Sequence, residues 1–261
     1  MKLSAFFRKY GAYVVALAIF IVAACVYCSP VLKGRVLHAG DIQNYIGASQ
    51  EVNAYHQQTG DYSFWTGSMF SGMPDYQIGG GHYNSDDLLS PLSNTFSHRG
   101  NPVRMILLYL ICFYVMLRSF DVNRWLSIAG AFAVTLSSYF LVIIPAGHFT
   151  KITSIAYCGV ILGGFNLIFN KKYLLGAILT AVFVALGFKP HPQMFYYFFM
   201  LIGILWIAQA WNHIKEKRYK TLGVATAVFV CAVAIGFGTG AGNVFANAEY
   251  TSYPRKNSYI S

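Results

Sequence analysis

Apolar residues run almost unbroken through positions 11–29, 103–119, 125–146, 154–170, 173–188, 194–211 and 221–240, and short polar turns separate the later runs. A helix needs ~20 residues to cross a hydrocarbon layer of ~30 Å. Several of these runs are nearer 16, so their ends must draw on flanking polar residues or let long side chains reach outward. The pattern predicts an all-α integral membrane protein: a single transmembrane domain over 1–261 with about seven transmembrane helices. Pro30 closes the first helix, and residues 30–102 form a long first extracytoplasmic loop. Within that loop His38–Pro74 is the one long polar segment. There Ile42, Tyr45, Ile46, Ser49, Val52 and Tyr55 recur at helical spacing. They predict one amphipathic helix lying along the membrane surface after Asp41 and stopped by Thr59-Gly60.

Composition supports the membrane reading. Hydrophobic residues make up 56 % and charged residues 11 %, with mean hydropathy +0.48, against about 25 % charge in a soluble domain. The net charge of +10 does not form one patch, which argues against a nucleic-acid partner. Eleven of the basic residues fall in four short stretches: Lys2, Arg8, Lys9; Arg118, Arg124; Lys171, Lys172; and Lys215, Lys217, Arg218, Lys220. The acidic residues fall mainly in the alternate segments. This is the bias of cytoplasmic loops, so it predicts a cytoplasmic N-terminus and an outward-facing His38–Pro74 loop. Aromatic residues crowd the span ends as interface anchors do. Cys25, Cys28, Cys112, Cys158 and Cys231 all lie in apolar runs and read as core residues rather than a disulfide framework. The first run also has the outline of a signal peptide, and Val22-Ala23-Ala24-Cys25 that of a lipidation box. Retention as a first helix is the simpler outcome, because more spans follow.

The candidate chemistry gathers in the outer segments. Asp41 at a helix start serves as an N-cap. The same carboxylate can ligate a divalent metal or act as general base, and the roles are compatible. Trp65, Met69 and Phe70 lie in a glycine-bent stretch without helical or strand period, which reads either as an interfacial anchor or as a platform for a sugar ring. The turns Gly147-His148-Phe149-Thr150-Lys151 and Lys189-Pro190-His191-Pro192-Gln193 each place a Lys and a His on the outer face. They read as interface anchors or as a site for the phosphate of a lipid-linked donor. Asp86-Asp87 could bind a metal but reads more simply as a solvated loop pair or a helix start, and His38, His56, His82 and His98 lack metal-ligand spacing. Gly163-Gly164 and the series from Gly236 to Gly240 permit close helix contact and are not phosphate loops, since no strand precedes them.

Ser29–Gly34 (SPVLKG), Gly40–Gln43 (GDIQ), Phe64–Pro74 (FWTGSMFSGMP), Gly147–Lys151 (GHFTK), His191–Tyr197 (HPQMFYY) and Glu249–Thr251 (EYT) together resemble the N-terminal part of YfhO-type bacterial membrane proteins of Bacteroidetes-like form. That family is similar to the GT-C glycosyltransferases. The resemblance implies an enzyme of the bacterial cytoplasmic (inner) membrane that takes a sugar from a polyprenyl-phosphate donor to an envelope glycan or protein acceptor. It implies Asp41 as the catalytic or metal-contacting carboxylate, with magnesium or manganese as a possible cofactor. Lys151 and His148, then Lys189 and His191, would hold the donor phosphate. Family members run on past this point with more spans and an outer domain, so a chain ending at Ser261 implies a truncated product. The rival readings are an envelope-lipid transporter or flippase and a non-catalytic membrane fragment.

Overall fold

One stripe of the first helix is buried, Ala16, Phe20 and Ala24, and Cys28 just past its end continues it; each lies four residues on from the last and is at most 5 % exposed. Val14, Val15, Val22 and Val26 on its other faces stay exposed. A helix apolar all round but buried along one stripe is what a lipid-facing position requires. The computed structural model describes residues 2–77, 89, 91, 101–188 and 190–257. Among these the long helices are α1 (Lys2–Tyr27), α5 (Pro102–Ser119), α8 (Phe149–Phe169), α10 (Pro192–Lys215) and α11 (Tyr219–Gly238). These five are long and apolar enough to cross a membrane, which fits an all-α membrane protein. The bent pair α6 (Arg124–Thr135) and α7 (Ser138–Ala146) makes a sixth if counted as one span. The remaining run of the predicted seven is α9 (Tyr173–Phe188), apolar but shorter.

Helix α8 is the centre of the bundle, with 89 % of its apolar window buried against 17–50 % for the other long helices. It packs on α5, α9, α10 and α11. The predicted close approach at Gly163-Gly164 is present. A Cβ on Gly163 would sit 2.8 Å from Ser119 Oγ on α5, and one on Gly164 2.9 Å from the Gly176 carbonyl on α9. Without a hydrophobic force between helices in lipid, such backbone contact supplies the association energy. The later glycines divide: Gly236 packs on Val184 and Ala181 of α9, whereas a Cβ on Gly238 would meet no described residue within 4 Å. All five cysteines are free, and Cys28, Cys112 and Cys158 are buried.

Two predicted helices are broken. The run at 125–146 bends by 50° between α6 and α7. Thr135 Oγ1 donates back to the Ala131 carbonyl at 2.8 Å, a bond that bends helices. Ser137 then adopts extended backbone at the N-cap of α7. Gly147, at φ +93°, ends α7, so α8 starts at Phe149 rather than at 154. The predicted surface helix is also two: α3 (Gly40–Ala48) and α4 (Gln50–Thr59). Between them Ser49 Oγ donates to the Tyr45 carbonyl at 2.8 Å and accepts from Asn53 Nδ2 at 3.3 Å. Gly60, left-handed at φ +78°, stops α4 where Thr59-Gly60 predicts.

The segment expected to lack a period forms a small antiparallel hairpin, β1 (Trp65–Thr66) on β2 (Met73–Pro74). Phe70, Ser71 and Gly72 turn it through positive φ, and a Cβ on Gly72 would meet the Trp65 indole at 2.6 Å. Glu51 of α4 ties the hairpin down, accepting from Thr66 Oγ1 at 2.7 Å and from the Gly67 N–H at 2.8 Å. The last described helix is α12 (Ala241–Asn257), whose Ala246 carbonyl accepts from the Tyr76 hydroxyl at 3.3 Å.

Candidate functional site

The up-and-down order of α8, α9 and α10 gathers one set of turns at each end of the bundle. Arg118, Arg124, Lys171, Lys172 and the Lys215–Lys220 turn share one end. Lys172 pairs there with Asp121 at 3.8 Å, and Asn166 Nδ2 donates to the Ser119 carbonyl at 2.8 Å. At the other end, the start of α8 lies beside the end of α9, where Ser154 Oγ donates to the Gly187 carbonyl at 3.0 Å. The first turn of α3 and the approach to α10 meet at this second end.

Asp41 and His148 touch there. His148 Nδ1 lies 2.7 Å from Asp41 Oδ2, with side chains 42 % and 52 % exposed respectively. Both can therefore be reached from outside the bundle. Asp41 is not the N-cap of its helix: Ala39 holds that place, and Asp41 sits within the first turn. An anion there is favoured by the N-terminal ends of both α3 and α8. His148 is the N-cap residue of α8 but makes no side-chain cap bond, so its ring is free to face α3.

Gly147 makes the approach possible. A Cβ at that position would lie 3.1 Å from Asp41 Cβ and 3.2 Å from Ala39 Cβ. The sequence does carry this signal: glycine after an apolar helix marks a left-handed C-terminal cap. What sequence cannot carry is the partner that packs on it.

Lys151 sits in the first turn of α8, half-buried. His191, the N-cap residue of α10, has a buried Nδ1 without a hydrogen-bond partner among the described residues. Burial, then the Lys151 charge and to a lesser extent His148, hold its imidazole below the usual histidine range. His191 is therefore uncharged at neutral pH, able to donate a hydrogen bond but not a charge. Asp41, His148, Lys151 and His191 thus form one cluster. Lys189, Asp86, Asp87, His82 and His98 lie outside the described residues.

Trp65, Met69 and Phe70 stand on a different support, the hairpin anchored to α4. Trp65 and Phe70 are exposed and Met69 half-buried. Sequence reading missed the anchor, Glu51, because its partners follow the α4 stop signal at Gly60. The Thr66 hydroxyl, with the Gly67 and Ser68 N–H groups, holds the Glu51 carboxyl below the usual range. For a metal, Asp41 and His148 offer two adjacent donors. No group of three His, Cys, Asp or Glu side chains converges among the described residues. No family model matches the chain, and neither a curated protein nor a solved structure does.

Proposed function

We propose that the protein is a GT-C-type glycosyltransferase of the YfhO kind, moving a sugar from a polyprenyl-phosphate donor to an envelope glycan or protein acceptor. It would act on the extracytoplasmic face of a bacterial cytoplasmic membrane. The observation that carries this reading is the Asp41–His148 contact at 2.7 Å with Lys151 and His191 beside it. A half-exposed carboxylate, imidazole and ammonium at one end of an apolar bundle suit an amphiphilic substrate with an anionic head. The basic turns at the other end suit a cytoplasmic side. Lys151 neutralises charge on the departing lipid phosphate, which lowers the barrier to transfer. His191 adds an uncharged hydrogen-bond donor, and Lys189 is the second proposed cation. The Asp41–His148 pair serves acceptor activation, and the Trp65–Phe70 surface supports a sugar ring.

A magnesium or manganese ion is compatible with these residues, because such ions are commonly held by one or two carboxylates with waters and substrate phosphates completing the shell. Asp41 would hold it, and bound there it would supply further charge neutralisation at the phosphate.

Incorporation of label from a radiolabelled undecaprenyl-phosphate hexose by purified protein tests the reading. Asp41→Asn is expected to lower the rate at least about 10²-fold with membrane insertion intact. Full activity in that variant would remove Asp41 from the reaction, and a wild type without transfer, with and without added metal, would end the proposal.

A further inference from the structure

We infer that the atom which takes the acceptor proton is Nε2 of His148, and that Asp41 is the positioning residue which directs it. The inference rests on the transfer reading above and assigns the proton step within it. Distance and hydrogen-bonding capacity together carry the argument. An ionised carboxylate only accepts, so a 2.7 Å contact between Asp41 Oδ2 and His148 Nδ1 places the proton on Nδ1. In a neutral ring that leaves the lone pair on Nε2.

Nε2 has no hydrogen-bond partner among the described residues, and the side chain is 42 % exposed. The ring does not cap α8, so nothing else on its own helix accounts for its orientation. Its backbone is fixed on both sides: the His148 N–H donates to the Ile143 carbonyl at 3.3 Å, and its carbonyl accepts from Ile152 N–H at 3.1 Å. Among the described residues, the ionisable groups near the ring are Asp41 from α3, Lys151 in the first turn of α8 and His191 ahead of α10.

The step balances. The acceptor hydroxyl oxygen bonds to the anomeric carbon as the bond from that carbon to the phosphate oxygen breaks. That electron pair leaves with the lipid phosphate, and the hydroxyl proton passes to Nε2. Asp41 stabilises the imidazolium formed, which is the arrangement by which a carboxylate orients a catalytic histidine.

His148→Asn is the decisive variant, because its amide N–H can still reach Asp41 from near the Nδ1 position while Nε2 is gone. With the full chain and an undecaprenyl-phosphate hexose, kcat is expected to fall about 10²–10⁴-fold. Undecaprenyl phosphate alone should bind within about twofold of wild type. His148→Gln, which places a non-basic amide near the Nε2 position, should lose kcat equally if folding of the Asn variant is impaired. Asp41→Asn combined with His148→Asn should lose no more than His148→Asn alone, as groups acting as a unit do. Unchanged kcat with weakened undecaprenyl phosphate binding would make His148 a phosphate ligand and overturn the assignment. Additive losses in the double variant would overturn it too. A wild type that transfers no hexose fails at the earlier step, and the assignment falls with the transfer reading.

Discussion

Gly147→Ala adds one methyl where the first turn of α3 meets the α7–α8 turn. Two costs follow, and they can be separated. At φ +93° a residue with a Cβ loses about 1–2 kcal/mol to left-handed backbone strain. The new carbon would also stand 3.1 Å from Asp41 Cβ, 3.2 Å from Ala39 Cβ and 3.4 Å from the Asp41 nitrogen. Carbon contacts are optimal at about 3.5–4.0 Å, so α3 must retreat by a few tenths of an ångström. That movement lengthens the contact between Asp41 and His148. Gly60→Ala is the control, because its φ is +78° but no atom of the described residues lies within 4 Å of the added carbon. At about 2–4 °C per kcal/mol for a chain of this size, strain alone lowers the thermal midpoint by roughly 2–8 °C in both. Only Gly147→Ala should also shift the His148 ring ¹⁵N resonances in detergent micelles and reduce hexose transfer. Identical His148 spectra in the two variants would refute the claim that packing at Gly147 sets the pair.

Three further outcomes are expected. The Thr66 hydroxyl and two backbone N–H groups hold Glu51 below its unfolded range. Its contribution is therefore complete above an unfolded value of about 4.3 and is lost as pH falls through the lower folded value. Trp65 fluorescence anisotropy should stay constant from pH 7 to about 4.3 and drop only below that. Glu51→Gln should lower it throughout, and a transition near neutral pH would contradict this. Gly164→Ala puts a carbon 2.5 Å from Thr180 Oγ1 and 2.9 Å from the Gly176 carbonyl. Overpacking there should cost about 1–3 kcal/mol in detergent unfolding, whereas Gly203→Ala, with no atom of the described residues within 4 Å, should cost nothing; equal stabilities would contradict the close α8–α9 contact. A reporter inserted near residue 60 should be active on the extracytoplasmic side, and cytoplasmic activity would remove the proposed transfer reaction.

The helical class was legible because lipid imposes a simple rule: apolar length makes a helix, and polar residues interrupt it. That rule found Pro102–Ser119 and Tyr173–Phe188 almost to the residue. It failed at 125–146, where hydropathy does not register that the Thr135 hydroxyl folds back on Ala131. It failed again at Ser49, whose hydroxyl engages Tyr45 and Asn53 within an otherwise continuous apolar face. The site was legible as separate turns, since Lys and His there run against the charge bias expected of outer segments. That His148 meets Asp41 was not legible. The two residues are far apart in sequence, and their meeting depends on helix directions that no local pattern encodes. The uncharged state of His191 was hidden for the same reason, because it comes from burial and from Lys151.

The missed bend and the site are connected. The nine residues of α7 rise about 14 Å at 1.5 Å per residue. A 50° departure from the axis of α6 over that length carries its far end sideways by roughly 10 Å. A straight helix through 125–146 would deliver Gly147 that much farther from where it now packs on Ala39 and Asp41. Helix α7 does contact α3, so the deflection ends on the surface helix. The turn at Gly147 then reverses the chain at once into α8, the most buried helix. One end of the α7–α8 turn is thus held by the bundle core, while the other meets a surface segment. This combination fixes His148 without enclosing it, leaving a half-exposed pair on a rigid support, which is what a precise site needs.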